Sequence, residues 1–145
     1  MIYFDADFVA KFYLDEPESE AVRSLATEAR EVACCRLGRV ETLSVFHRKL
    51  REQIVTTTGY KHLCEQFESD CRAGLWQWLP MSAALLEDTV SRVRQLPASV
   101  FLRAGDAIHL TCAKDRGLQE IHSNDRHLLA AAPHFGLKGV NILPS

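Results

Sequence analysis

The sequence predicts an α/β protein with a central parallel sheet between helices on both faces. Short apolar runs alternate with longer segments of helical periodicity, the pattern of strand–helix–strand crossovers. The 145 residues are 47% hydrophobic and 25% charged, close to the globular average. A chain of that length buries roughly 70% of its unfolded surface without needing staples. No repeat or linker-like stretch interrupts it, so residues 1–145 are expected to form one domain.

Ile2-Tyr3-Phe4 is a short apolar run ending at Asp5, which predicts a buried strand. Residues 7–14 carry Phe8, Val9, Phe12 and Tyr13 at helical spacing. Pro17 suits the opening of a second helix, with Ala21, Val22, Leu25 and Ala29 on its apolar face. Val32-Ala33-Cys34 predicts the second strand. A long helix follows over 36–54, with Leu37, Val40, Leu43, Phe46, Leu50 and Ile54 inward, and another over 58–72, stopped by Gly74. The alternation in 75–79, with two tryptophans, predicts a strand whose indoles suit core or interface packing more than base stacking. Ser82 caps a helix with Leu85, Leu86, Val90 and Val93, closed by Pro97. Residues 105–116 form a helix stopped by Gly117, 120–122 a short strand, 126–132 a helix and 140–143 the last strand.

The formal net charge of −2 excludes a uniformly basic nucleic-acid binder, although not a local basic strip. Met1 runs directly into apolar residues, and the first basic residue is Lys11, unlike a targeting segment. The longest uncharged run, 73–86, contains Gly74 and Pro80 and is shorter than the roughly 20 apolar residues a spanning helix needs. A soluble, cytoplasmic protein without a membrane partner is expected. The five cysteines are odd in number and form no CxxC pair, which suggests buried hydrophobes in a reducing compartment.

Ligands of open parallel sheets bind at the carboxyl ends of the strands. Asp5 ends the first predicted strand, Asp125 follows the short strand at 120–122, and Asp106 begins a helix of core-like residues. Each, taken singly, suits a helix cap or first-turn acid. Glu41 has Leu37 and Val45 one turn to either side, so it needs a partner, for which Arg39 and Arg48 are candidates. If the four acids converge, like charges raise one another's pKa unless a divalent cation neutralises them. Magnesium and manganese prefer carboxylate oxygens and water. One or two such ions can activate a water, orient a phosphodiester and stabilise the leaving oxygen.

The chain resembles the PIN-domain ribonucleases, most closely the VapC-type toxins of bacterial toxin–antitoxin pairs. The resemblance rests on Ile2-Tyr3-Phe4-Asp5-Ala6-Asp7 with Val9-Ala10-Lys11-Phe12-Tyr13 and Asp15-Glu16-Pro17-Glu18-Ser19. It continues through Arg39-Val40-Glu41-Thr42-Leu43 with His47-Arg48, then Gly105-Asp106-Ala107-Ile108-His109-Leu110, and finally Ser123-Asn124-Asp125. The resemblance implies a PIN-like three-layer α/β/α fold and metal-dependent cleavage of single-stranded or looped RNA. It makes Asp5, Glu41, Asp106 and Asp125 the catalytic quartet around Mg2+ or Mn2+, with Asp5 and Asp106 as direct ligands. Ser123 would support them. It also implies a homodimer and neutralisation by a small VapB-like antitoxin, whose C-terminal segment lies across the groove. Asp7 departs from the family's usual Ser or Thr; it adds a fifth acid, which either alters metal binding or favours the helix start.

RNA requires positive surface. Arg36, Arg39, Arg48, Lys49 and Arg51 share one predicted helix with Glu41, and Lys11 lies within reach of either a phosphate or an acid. Of these, Lys11, Arg39 and Arg48 are the candidate RNA contacts. A second cationic stretch holds Arg92, Arg94 and Arg103. His109, one turn after Asp106, suits a core histidine more than a partner supporting the acids, and the spacing of His122 and His127 matches no closed zinc site. One rival reading takes Asp5-Ala6-Asp7 as the nucleophile motif of a haloacid-dehalogenase-like phosphatase. Another is an interaction module that keeps the fold without catalysis.

Overall fold

The computed structural model describes residues 1–143. β1 (Ile2–Tyr3), β2 (Val32–Cys35) and β3 (Trp76–Leu79) pair in parallel, with Ile2 opposite Val32 and Val32 opposite Trp76. β4 (Glu120–His122) and β5 (Lys138–Val140) form a second parallel pair. A parallel bridge between Phe4 and His122, with Asp5 N–H donating to the His122 carbonyl at 3.2 Å, joins the pairs in the order β3-β2-β1-β4-β5. The winding direction therefore reverses between β1 and β4. That is the switch point at which an open α/β sheet leaves a crevice beyond its strand ends.

Side chains alternate across each strand and divide the core in two. Tyr3, Ala33, Cys35 and Leu79 face one apolar cluster, shared with Leu110, Ala113 and Leu128. Phe4, Val32, Cys34 and Trp76 face the other, shared with Phe8, Phe46 and Phe67. The first face is covered by α5 (Ala83–Arg94), α6 (Ala104–Asp115) and α7 (Arg126–Ala131); the second by α1 (Ala6–Tyr13), α2 (Ser19–Glu28), α3 (Leu37–Arg51) and α4 (Thr57–Ala73). The three-layer α/β/α expectation holds.

Local chemistry sets the element ends. Asp5, Thr56, Ser82 and Asp125 cap α1, α4, α5 and α7 through their side chains, and Gly74 closes α4 at φ 78°. Several boundaries differ from the sequence expectation. α2 starts at Ser19, because Pro17 lies in the preceding turn. α3 ends at Arg51; Gln53 turns into the left-handed region at φ 60°, which leaves Ile54 exposed. α7 passes into a 3₁₀ turn over Ala132–Phe135, whose Pro133 sits in its first turn. β5 lies earlier than expected, at 138–140, where Gly139 fits closely against Leu129. Trp76 is buried, as expected of a core indole, and Cys34, Cys35 and Cys112 are buried, whereas Cys64 and Cys71 are half-buried.

Candidate active site

The crevice at the β1–β4 switch opens into a cavity of about 470 Å³. β1 delivers Asp5 from its carboxyl end, and α1 adds Asp7. α3 contributes Glu41, Ser44, Val45 and Arg48, which fall three or four residues apart on one helix face. α6 contributes Arg103 just before its start, then Asp106 and His109, again at three-residue steps. The loop after β4 supplies Asn124 and Asp125. The four carboxylates of the expected quartet thus line one groove.

The hydrogen bonds show what each acid is free to do. Asp5 is buried; its Oδ1 accepts from the Phe8 N–H at 2.9 Å and its Oδ2 accepts from the Ser123 hydroxyl. The Ser123 oxygen in turn accepts from the Asp125 N–H at 2.9 Å, so this buried serine links the Asp5 carboxylate to the Asp125 backbone. Asp125 Oδ1 caps α7 through the His127 and Leu128 N–H groups. Caps and site acids are therefore the same residues at Asp5 and Asp125. Among the described residues, Asp106 accepts no hydrogen bond within the protein.

Electrostatics follow from that burial. Burial pushes the Asp5 carboxyl up to about 7; Ser123 and Phe8 pull it back only in part, and Asp7 adds repulsion. Asp106 is also raised, first by burial and then by Asp125. Asp7 is raised by burial against the pull of Lys11. Burial disfavours charge on His109, but its hydrogen bonds with Cys34 and Glu41 outweigh this and hold it well above the ordinary histidine range.

The basic residues divide. Arg48 and Arg103 flank the groove. Lys11 is not free for phosphate: its ammonium is buried and lies 2.8 Å from Glu16, 3.8 Å from Glu18 and 3.9 Å from Asp7. Arg39 points away from the groove and pairs with Glu68 of α4 at 2.7 Å. Neither arginine holds Glu41. Its partner is His109, whose Nε2 lies 2.5 Å from Glu41 Oε1. From the sequence His109 suits a core position more than support of the site, and Arg103 falls in a separate cationic stretch; the structure makes His109 buried and site-supporting at once. The signal was available in both cases: each stands three residues from Asp106 on the same helix face.

Carboxylate oxygens are hard donors that suit Mg2+ or Mn2+, ions that keep much of their water. The free carboxylate of Asp106, Oδ2 of Asp125 and the groove-facing Glu41 fit that chemistry. Among the described residues no three His, Cys, Asp or Glu side chains form a ready-made ligand set, so an ion here would retain water in most positions. The fold and this acidic crevice define an α/β/α protein of nuclease-like architecture. The PIN domain family model matches residues 2–133, and the chain belongs to that family.

Solved structures share the fold at low identity. FitAcB from Neisseria gonorrhoeae matches with a TM-score of 0.72 and 17% identity over 97% of each chain. VapC20 of Mycobacterium tuberculosis, a toxin that cleaves the sarcin–ricin loop, matches with a TM-score of 0.69 and 16% identity over 90% of this chain and 95% of that one. A toxin–antitoxin complex from Klebsiella pneumoniae matches with a TM-score of 0.62 and 18% identity over 97% and 96%. No curated protein matches by sequence.

Proposed function

We propose that this chain is a Mg2+- or Mn2+-dependent endoribonuclease, a VapC-like toxin held in check by a VapB-like antitoxin. The observation that carries the reading is the convergence of Asp5, Glu41, Asp106 and Asp125 on one groove at the sheet's switch point. Like-charged carboxylates in a partly buried groove repel unless a cation offsets them. A bound divalent cation supplies activation of the attacking water and stabilisation of the leaving oxygen.

The protein's own groups do the rest. Asp5 and Asp106 are the direct ligands of this reading, and Glu41 and Asp125 complete the set directly or through water. Ser123 fixes the Asp5 rotamer and the Asp125 backbone. Arg48 and Arg103 flank the acids and hold RNA phosphates on either side of the scissile bond. Asp7 lies at the rim, where its charge faces Lys11 rather than the ion. The antitoxin belongs to this reading, supported by the toxin–antitoxin neighbour; a homodimer belongs to it through the family resemblance alone. Cytoplasmic action fits it; among the described residues no helix is long and apolar enough to cross a membrane.

The phosphatase alternative is disfavoured by the PIN domain match over residues 2–133, which leaves Asp5 in the acidic groove of that fold rather than in a haloacid-dehalogenase-like one. Mapping RNA 5′ and 3′ ends after incubation with Mg2+ tests the proposal. Discrete internal cuts by wild type that vanish with Asp5→Asn are expected. Identical patterns from both proteins, or release of inorganic phosphate alone, would refute it.

A further inference from the structure

The contact between His109 and Glu41 is built from several elements at once. His109 is 1% exposed, whereas the Glu41 side chain is 36% exposed towards the groove. The far side of the imidazole is braced: Nδ1 lies 2.7 Å from the Tyr3 hydroxyl, which accepts the Cys35 backbone N–H at 2.8 Å. Tyr3 is itself fully buried on β1. The ring edge rests on Gly38, one turn before Glu41, where an added Cβ would stand 3.4 Å from His109 Cε1 and 2.3 Å from Cys34 Sγ.

A bare Nε2 lone pair at 2.5 Å from a carboxylate oxygen would be repulsive, so Nε2 carries a proton. Tyr3 can satisfy Nδ1 in either charge state, by donating to it or by accepting from it. In both cases Nε2–H faces Glu41 Oε1. Among the described residues the second Glu41 oxygen accepts no hydrogen bond, and it lies beside Gly105, the residue before Asp106. The buried sheet thus fixes an otherwise mobile glutamate with one oxygen anchored and one presented to the groove.

We propose that His109 is a positioning residue for Glu41, braced by Tyr3, and that it sets the groove's affinity for a divalent cation by holding Glu41 in its ligating rotamer. This rests on the metal-dependent reading of the same groove. Partners that orient a metal-ligating side chain are typically worth about 10–100-fold in metal affinity.

Calorimetric titration of the full chain with Mn2+ tests it. His109→Leu should weaken Mn2+ by about 10–100-fold. His109→Gln, which offers an amide N–H near the position of Nε2, should restore part of that loss. Tyr3→Phe should weaken binding less than His109→Leu does. In a Glu41→Gln background neither His109→Leu nor Tyr3→Phe should lower affinity further. Wild-type affinity in His109→Leu, or losses that add to that of Glu41→Gln, would overturn the inference while leaving the nuclease reading intact. If wild type itself binds no Mn2+, both fall. Should His109→Leu fail the circular-dichroism check for folding, His109→Gln and Tyr3→Phe decide the matter: unchanged affinity in both overturns the inference.

Discussion

At the residue scale, Asp5 carries two jobs that oppose each other. It caps α1, which favours the fold, and it buries a carboxyl beside Asp7, which does not. Its folded pKa of about 7 stands above the ordinary 3.8, so the folded state holds the proton more tightly than the unfolded chain. Metal-free stability is therefore greatest below about pH 4 from this group and falls as pH rises towards 7. The cost of ionising it in the fold is on the order of 4 kcal/mol. Asn still caps a helix but carries no charge. Asp5→Asn in EDTA is accordingly expected to melt on the order of 10 °C above wild type at about pH 8, with the gain shrinking as pH falls to about 4. An equal loss of stability at both pH values would make Asp5 a structural cap alone. Tyr3→Phe strips a partner from both the Cys35 N–H and His109 Nδ1, which are buried. A loss of about 1–3 kcal/mol is expected by urea denaturation, and a neutral result would contradict the brace.

Much of this chemistry was visible as letters, because the acids fall at strand ends and first turns, where only a few geometries are open. The partners were less visible. That Lys11 turns to Glu16 and Arg39 to Glu68 depends on how α2 and α4 pack, which no local pattern encodes. His109 looked like an ordinary core histidine, since burial alone does not distinguish a filler from a brace.

At the element scale, the helices show where periodicity is a sound guide and where it is not. Apolar spacing located α1, α2, α3 and α5, and Gly74, Gly117 and Ser82 marked ends that the structure keeps. Yet Val40 of α3 and Val90 and Val93 of α5 are exposed, although they continue the apolar spacing of their helices. A helix in one outer layer has a single buried stripe, so a wider apolar face leaves some residues in solvent. α3 also shows a limit that only close packing sets. Gly38 lies inside the helix, where glycine is otherwise unfavourable. Its Cβ would collide with Cys34 Sγ of β2 at 2.3 Å, so the residue is small because helix and strand touch. Gly38→Ala is expected to cost about 1–3 kcal/mol despite its better helix propensity. Cys34→Ala should recover part of that cost in the double variant, as a double-mutant cycle by chemical denaturation would show. Strict additivity would mean that the strain lies elsewhere.

At the scale of the whole molecule, the sheet order decides the function. A parallel sheet wound in one direction would carry Asp5 and Asp125 on neighbouring strands without a crevice between them. Reversal between β1 and β4 opens one, and α3 and α6 close its sides with Glu41 and Asp106. Four of the five strands and the alternation were legible in the sequence; β5 was placed too late, and the order of strands is a property of packing that the three-residue β4 and β5 do little to indicate.

The central claim is that four carboxylates far apart in the chain share one cation in that crevice. Paramagnetic broadening of backbone amide signals by a small addition of Mn2+ tests it most directly. The account predicts that the amides at Asp5, Glu41, Asp106 and Asp125 broaden together, while those of α2 and the far end of α5 stay sharp, and that Asp106→Asn abolishes the effect. Broadening that is absent, or spread evenly over the acidic surface, would contradict it.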